Sequence, residues 1–332
     1  MNGGNVRVFW SGVSNRTHLI YGAAWLRREL AATSGQVSLV LMPPRSFLSS
    51  SPPTLEQAAG YLPASPRLRV TTIDTAGDEI GPGETAHLLG VGGVGPRPWL
   101  RLHRANPGRR LRVAMTDEGL STYGTWLTRR AAYVREATPG PVATARAAVG
   151  AAATAALASS RFLLHRHRHG RWQLNAHIAA EFRRHQARQL PTTTAVLLSQ
   201  PWPELGVVDE ARYLGHIDRL ATSAAQAGWQ LRVHPHPAEP SRRYAELALA
   251  GDDLAEANAE CVNAGLVIGT SSTAMLNLAS IHSIPAMRLE LPELRSLDQR
   301  LGRRQRSLLD HYLGPAMPPA TWSQVLRGKV GS

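Results

Sequence analysis

The chain has 332 residues, of which 43% are hydrophobic and 18% charged, and a formal net charge of +13 at pH 7. This length suffices for two domains of ordinary size, and the composition is that of a globular protein. The excess of positive charge predicts anionic partners: nucleic acid, phosphate-bearing donors, acidic polysaccharide or an anionic membrane surface.

The number of cysteines and the length of the apolar runs indicate the cellular compartment to expect. The single cysteine, Cys261, excludes an internal disulfide, and no signal-peptide pattern opens the chain. We therefore expect a cytoplasmic protein. The most membrane-like stretch, residues 147–160, has 14 weakly apolar residues, fewer than the roughly 20 needed to span a bilayer. It is predicted to form a buried or surface-lying helix.

The first half of the chain begins as a βαβ unit on a parallel sheet. A strand is predicted over Asn5–Trp10, a helix over residues 18–30 and a second strand over residues 36–42. A further strand is predicted over Arg109–Thr116.

The segment GVGGVG, Gly90 to Gly95, fits the GxGxxG spacing of dinucleotide-binding loops. It is followed by PRPW and not by a predicted helix, so a pyrophosphate would lack its helix terminus. No dinucleotide site is predicted here.

Residues 139–189 are rich in alanine and arginine and are predicted to be helical, including HRHRHGRW, His165 to Trp172. Alternating histidine and arginine on a helix is typical of a solvated basic face, with metal or nucleic-acid binding as the alternatives. In an enzyme, this face would suit an acidic acceptor or anionic lipid headgroups.

The strand and helix alternation resumes in the second half. Strands are predicted over residues 193–199, 229–233, 265–269 and 286–291, and helices over residues 209–228, 243–250, 254–264, 273–283 and 294–312. The pattern predicts an α/β fold with two doubly wound Rossmann-like domains facing a central cleft, over residues 1–190 and 191–332. Ligands in such sheets bind outside the carboxyl ends of the strands, so residues just after strands are the candidates.

Two carboxylates follow the strand over Arg109–Thr116. Asp117 and Glu118 leave the strand together, and Gly119 permits a tight turn. Like-charge repulsion and partial burial raise one pKa of such a pair toward working pH, which suits a general base. Capping of the next helix is the structural alternative.

The segment VHPHP places two histidines after another strand. His234 and His236 each precede a proline, which favours extended backbone, and residues two apart on extended chain point to one side. Two histidines alone do not make a metal site, and no HExxH motif completes one. The pattern therefore favours hydrogen bonding to a phosphate over metal binding.

Two more strand ends have polar residues. Gln200, before a proline turn, is suited to bind a nucleotide or phosphate, although Gln-Pro turns are common. The hydroxyl run TSST after residue 269 begins a predicted helix, and such termini bind anions. Serine and threonine are also ordinary helix caps.

Three short motifs stand in a fixed order: Asp117-Glu118-Gly119, His236-Pro237 and Ser272-Thr273. By their order and spacing, the chain resembles the bacterial polysialyltransferases and the related lipooligosaccharide sialyltransferases. The similarity includes residues 200–237 and reaches from about Asn5 to Leu291. Each motif has only two or three residues, so their combination is what is specific.

The resemblance implies a GT-B fold and an inverting, metal-independent transfer from a CMP-activated sugar acid to an acceptor hydroxyl. We expect Asp117, the first residue off the strand, to deprotonate the acceptor, with Glu118 left open as the base. His236 would assist departure of CMP, and imidazolium and a helix terminus would stabilise the phosphate without a metal. No DxD-type metal motif occurs in the sequence.

The remaining expected roles divide between donor and acceptor. Residues 1–190 are predicted to bind the acceptor and residues 191–332 the CMP donor. Family members commonly have lysine where this chain has His234, which leaves the donor sugar open. The expected donor-binding residues are Gly119, Gln200, His234, Pro237, Ser271, Ser272 and Thr273, and the expected acceptor-binding residues are Ser11 and Asn15.

Two other functions fit parts of the sequence. A CDP-glycerol-type glycerophosphotransferase would have the same fold and HP-like motifs, and would make the acidic pair incidental. A non-catalytic polyanion-binding protein would explain the charge, but only 6% of residues are aromatic and no RNP-like or zinc-finger pattern occurs. The expected partners are thus a CMP-activated sugar acid, a glycan or small-molecule hydroxyl acceptor and, peripherally, an anionic membrane at its inner face, and not nucleic acid.

Overall fold

A computed structural model describes residues 4–43, 53–135, 138–247, 249 and 254–329. The chain divides into unit 1, Met1–Glu181, and unit 2, Phe182–Ser332. The predicted boundary at residue 190 lies just beyond this division, and the functional roles assigned to the two halves stay predictions.

Unit 1 is built on a six-stranded sheet with the order β3-β2-β1-β4-β5-β6, in which every pairing is parallel. This is the Rossmann strand order, with its switch point between β1 and β4. The strands are β1 (Val6–Ser11), β2 (Val37–Leu41), β3 (Leu68–Thr72), β4 (Thr85–Val91), β5 (Leu111–Thr116) and β6 (Ser160–Phe162).

Helices cover this sheet because its strands are apolar on both faces. Phe9, Val40, Leu88 and Val113 are buried in one of the resulting cores. The helices of unit 1 are α1 (Arg16–Ala32), α2 (Leu55–Tyr61), α3 (Ile73–Ala76), α4 (Pro96–Ala105), α5 (Trp126–Arg135), α6 (Gly140–Leu157) and α7 (Ala176–His185), the last of which continues into unit 2.

The expectation that no helix follows GVGGVG was wrong. Helix α4 begins at Pro96, directly after Gly95 as its N-cap. Proline is favourable at the first helical position, because its fixed φ suits the helix and its missing N–H would be unpaired there anyway.

The prediction of helix throughout residues 139–189 was also wrong in part. Only α6 and α7 are helical; between them lie β6 and an antiparallel hairpin of β7 (His165–Arg168) and β8 (Arg171–Leu174). His169 and Gly170 both have positive φ, 49° and 76°, which is the conformation of a two-residue hairpin turn. The alternation in HRHRHGRW is therefore that of a strand.

Unit 2 has a second parallel sheet with the order β10-β9-β11-β12-β13. Its strands are β9 (Thr194–Leu198), β10 (Gln230–His234), β11 (Leu266–Gly269), β12 (Ala286–Leu289) and β13 (Ala316–Met317), and its helices are α8 (Glu210–Gln226), α9 (Ala259–Val262), α10 (Thr273–His282), α11 (Arg295–Gln299), α12 (Arg303–Leu313) and α13 (Trp322–Gly328). The apolar faces of β9, β10 and β11 pack under α8 and α13.

Three helix predictions in unit 2 need correction. The single closing helix over residues 294–312 is two helices, α11 and α12, with Gly302 as the N-cap of the second. The helix predicted over residues 243–250 is a 3-10 helix over Ser241–Leu247. Residues 248 and 250–253 lie outside the described residues. The helix predicted over residues 254–264 shortens to α9.

In the described part of the chain, no helix has both the length and the apolar character required to cross a bilayer. The stretch 147–160 is helical as far as Leu157, within α6. Only Ala143 and Ala147 of that helix are buried, so it lies at the surface as expected.

Candidate active site

Asp117 lies at the carboxyl end of β5 and is fully buried. Its Oδ1 accepts a hydrogen bond from Gly119 N at 2.9 Å, and its Oδ2 accepts from Leu164 N at 3.0 Å and from the Tyr123 hydroxyl. Burial raises the pKa of Asp117, and these donors oppose the rise. Both carboxylate oxygens are thus engaged within the protein.

Glu118 is the more accessible carboxylate of the pair, with 33% of its side chain exposed. Its Oε2 lies 3.2 Å from Nη2 of Arg129 on α5, and the same nitrogen donates to Gly92 O at 2.9 Å. The guanidinium therefore fixes the carboxylate beside the loop that follows β4. This carboxylate retains the solvent access that an incoming hydroxyl needs.

The neighbour of Glu118 on α1 is His18, which sequence analysis missed. The His18 Nδ1 accepts a hydrogen bond from Ser14 N at 3.2 Å, and the ring also interacts with the backbone and the charge of Glu118. Burial lowers the pKa of His18 to about 4, against the opposing effect of Glu118. A neutral imidazole thus packs against the candidate base.

The two expected acceptor-binding residues lie at the end of β1 and at the start of α1, the helix that contains His18. Ser11 ends β1 in register with Gly90 of β4 and is buried. Asn15 is the N-cap of α1, where its side chain accepts a hydrogen bond from His18 N at 3.0 Å. The structure therefore brings Ser11 to the same sheet edge as the acidic pair, and it gives Asn15 a capping contact.

In unit 2, a buried carboxylate organises the loop that contains His236. Glu239 Oε2 accepts hydrogen bonds from His236 N at 2.7 Å and from the Ser199 hydroxyl. Its Oε1 accepts from the Tyr244 hydroxyl and pairs with Arg243 at 3.3 Å. Because the Glu239 side chain is fully buried, these contacts fix the loop firmly.

The same loop determines the protonation state of His236. Its Nδ1 accepts a hydrogen bond from Ala238 N at 3.1 Å, so in the neutral ring the proton resides on Nε2. Burial lowers the pKa of His236, while Glu239 and Glu204 oppose the shift and His234 adds to it. At pH 7 His236 is therefore a neutral Nε2–H donor, and not the imidazolium that the sequence leads us to expect.

The other expected donor residues occupy neighbouring strand ends. His234 ends β10, and its carbonyl accepts a hydrogen bond from Ser199 N at 3.1 Å. Gln200 follows β9, and its backbone N–H donates to the Tyr213 hydroxyl at 3.2 Å. Pro237 is exposed beside them. Since β9 lies between β10 and β11 and all three run parallel, the motifs of unit 2 lie at the carboxyl ends of neighbouring strands.

The hydroxyl run after β11 forms the start of α10. Ser272 is the N-cap, Thr273 is the first helical residue and Ser271 precedes them. Thr270 belongs to the same run but is not among the expected donor-binding residues. It is buried, and within the described residues its hydroxyl has no hydrogen-bond partner. Buried hydroxyls are normally paired, so this one is suited to a ligand at the helix terminus.

Thr270 lines a small cavity in unit 2 together with Gln200 and Trp202. The Trp202 indole N–H is also without a partner among the described residues. Among the residues that the structure describes, no three or more histidine, cysteine, aspartate or glutamate side chains are arranged to hold a metal ion.

No protein-family model and no curated protein sequence matches the chain, whereas solved structures do. A Listeria monocytogenes protein described as a UDP-N-acetylglucosamine 2-epimerase has 10% identity and a TM-score of 0.50, covering 98% of this chain and 90% of its own. UGT2 of Phytolacca americana, bound to UDP-2-fluoro-glucose and pterostilbene, has 10% identity and a TM-score of 0.49, with 97% and 90% covered. MurG of Acinetobacter baumannii has 14% identity and a TM-score of 0.41, with 98% and 89% covered.

The predicted fold class is confirmed: the chain is α/β and GT-B-like, with two doubly wound Rossmann-like units. The facing cleft stays a prediction, as do the roles of the individual site residues.

Proposed function

We propose that this protein is an inverting glycosyltransferase that uses a nucleotide-activated sugar. The observation that supports it best is the His236 loop, where Ala238 N and the buried Glu239 present a neutral Nε2–H donor at a sheet edge. The start of α10 lies at the carboxyl ends of the same parallel strands, and there the Thr270 hydroxyl has no partner within the part of the chain that the structure describes. Together they suit a phosphate that gains charge as it leaves.

For the base we propose Glu118, one of the two carboxylates that the sequence leaves open. Asp117 has no exposed surface, and its oxygens accept three internal hydrogen bonds. Glu118 has exposed surface, and its interaction with Arg129 orients it. Asp117 then acts as a positioning residue that holds the turn on which Glu118 stands.

The proposed reaction is a direct displacement. Glu118 takes the proton of the acceptor hydroxyl as that oxygen forms a bond to the anomeric carbon of the donor. The bond from the anomeric carbon to the phosphate oxygen breaks, and its electron pair leaves with the nucleotide. His236 donates a hydrogen bond to the leaving phosphate, and the N–H groups at the start of α10 stabilise its charge. No step in this scheme uses a metal.

For the donor we propose a CMP-activated sugar acid. Support comes from the order of the acidic pair, the His-Pro dipeptide and the Ser-Thr pair, which resembles that of bacterial sialyltransferases. The acceptor is proposed to be a glycan or small molecule with a free hydroxyl.

The first test is a donor panel in buffer with EDTA: CMP-sialic acid, CMP-Kdo, CDP-glycerol and UDP-N-acetylglucosamine. Thermal stabilisation by each compound and release of its nucleotide are measured, since a ligand that binds only the folded chain raises its Tm. We expect stabilisation by CMP and by at least one CMP-sugar acid, with release of CMP.

The other outcomes separate the alternatives. A response to CDP-glycerol alone would indicate a glycerophosphotransferase. Release of UDP from UDP-N-acetylglucosamine would indicate a transferase with a UDP-sugar donor, whereas conversion of that compound without release of UDP would indicate the epimerisation ascribed to the similar Listeria protein. No response to any nucleotide, with salt-sensitive binding to polyanions, would leave a non-catalytic binding protein. Loss of CMP release in EDTA, restored by Mg²⁺, would contradict the metal-independent scheme.

A further inference from the structure

Helices α5 and α6 of unit 1 have large apolar side chains that no other part of the described chain covers. We define the hairpin surface by Trp126, Leu127, Val134, Val142 and Val149, which are between 42% and 56% exposed. In the described part of the chain, the other exposed large hydrophobic residues are Leu55, Leu100 and Leu190, at 45%, 39% and 80%. Exposed apolar side chains gathered on two helices favour an interaction site, whereas isolated surface leucines do not.

The exposed side of α6 has a defined pattern. Val142, Arg146 and Val149 follow at the spacing i, i+4, i+7, so they lie along one face. The Arg146 guanidinium lies 4.5 Å from the ring centroid of Tyr133 on α5, which keeps a cation between the two valines. The exposed residues that widen this face are Ala145, Ala148, Ala152 and Ala156.

The helices around this surface are rich in arginine, and two of these arginines are paired: Arg101 with Asp78 and Arg129 with Glu118. Helices α4, α5 and α6 contain seven arginines and no aspartate or glutamate: Arg97, Arg101, Arg104, Arg129, Arg130, Arg135 and Arg146. An apolar face flanked by arginines is complementary to an anionic lipid surface, where the apolar groups enter the headgroup boundary and the guanidinium groups meet phosphates. A two-fold contact with a second copy would instead place these arginines against one another.

Helices α5 and α6 also contact the candidate base and the loop beside it. Arg129 of α5 pairs with Glu118, and Thr154 of α6 accepts a hydrogen bond from Val94 N at 2.9 Å, in the loop after β4. Whatever binds the hairpin surface therefore binds helices that contact this loop and Glu118.

We propose that the hairpin surface docks unit 1 onto an anionic phospholipid bilayer, with α6 lying in the plane of the interface. The helix contributes a shallow alanine and valine face, and its arginines supply the attraction to anionic headgroups. This proposal is independent of the donor and the reaction assigned above.

Vesicle co-sedimentation of the full chain tests it, with no donor or acceptor present. Vesicles of phosphatidylglycerol and phosphatidylcholine in equal parts are compared with phosphatidylcholine alone, at low and high salt. We expect binding to the anionic vesicles that is at least tenfold stronger than to the neutral ones and that weakens with salt.

Two variants and two matched controls locate the contact. Val142→Asp combined with Val149→Asp, and separately Arg146→Glu, should each lower the partition coefficient about tenfold or more. Leu190→Asp replaces an exposed leucine in unit 2, and Arg300→Glu makes the same charge change on an exposed residue there. Both controls should bind like the wild type.

Three outcomes would overturn the proposal: no binding to anionic vesicles, equal losses in variants and controls, or a solution dimer that Val142→Asp with Val149→Asp converts to monomer. The last would show that a second copy covers the surface. A variant that fails to bind is compared with the wild type by circular dichroism and Tm, and Arg146→Glu serves as the second measurement if the valine variant does not fold.

Discussion

The carboxylate of Glu118 occupies the space that a side chain at residue 92 would need. A Cβ built on Gly92 would stand 2.0 Å from Glu118 Oε2, and Gly92 has a φ of +64°. The glycine-rich segment after β4 therefore has a role other than binding a dinucleotide: it lets the candidate base lie directly against the main chain.

Gly92→Ala should displace Glu118 and lower turnover about 10²-fold, because the new Cβ and the carboxylate cannot share that space. Gly108→Ala is the matched control, since Gly108 also has a positive φ, +75°, but nothing lies within 4 Å of its Cβ position. Both variants incur a similar backbone strain of about 1 kcal/mol. Comparison of kcat and Tm for the two separates the clash from the strain, and equal kcat values would exclude this role of Gly92.

Variants of Glu118 and Asp117 should differ in phenotype. Glu118→Gln should lower kcat by about 10² to 10⁴-fold with little change in Tm, as expected on loss of a general base. Asp117→Asn should lower the free energy of unfolding by about 1 to 3 kcal/mol, because an amide cannot accept from Gly119 N, Leu164 N and Tyr123 at once. A stable Asp117→Asn protein without activity, beside an active Glu118→Gln protein, would return the base to Asp117.

His18 should make unit 1 less stable in acid. Its pKa is about 4 in the folded chain, against an ordinary value of 6.5, so between these values the unfolded chain binds the additional proton. Stability is therefore present above pH 6.5 and is lost as the pH falls, by about 2 kcal/mol between pH 7 and pH 5.

Denaturant titrations at the two pH values check this effect. His18→Gln should remove about 2 kcal/mol of the pH dependence. An unaltered pH dependence in His18→Gln would mean that the imidazole titrates normally.

Two carboxylates that pair with Arg243 should differ in their effect on donor binding. Glu239→Gln replaces one acceptor oxygen by an amide group and weakens the support of His236, while Arg243 keeps its pairs with Glu204 and Glu210. The variant should therefore cost about 1 to 3 kcal/mol of stability and raise KM for the donor. Glu210→Gln, at a side chain that is 57% exposed, should change stability by less than about 1 kcal/mol. Similar effects of the two variants on KM would show that Glu239 does not position the loop.

The sequence was informative where local pattern determines structure. Alternating apolar residues located β1, β2 and β5 and the first four strands of unit 2, and with them the strand ends that bear Asp117 and His236. The pattern does not indicate β3, β4, β6 or β13, and it predicts a helix for the basic stretch before Trp172. In that stretch a period of two competed with helix-favouring neighbours, and the turn at His169-Gly170 decided for a hairpin.

The candidate site itself depends on contacts between distant parts of the chain. His18 and Glu118 are 100 positions apart, and Leu164 reaches Asp117 over 47 positions. No local pattern indicates which of two adjacent carboxylates becomes buried. The sequence therefore located the acidic pair, and tertiary structure determined which member remains accessible.

One of the hydrogen bonds to Asp117 links the candidate site to the rim of its sheet. Leu164 N follows β6, which at three residues is the shortest strand of the six and forms the edge of the sheet. Short edge strands are among the first elements to open in local fluctuations. When β6 separates from β5, Asp117 loses a donor while it is still enclosed by apolar groups, so fraying of this edge and disorder of the acidic turn should occur as a single event.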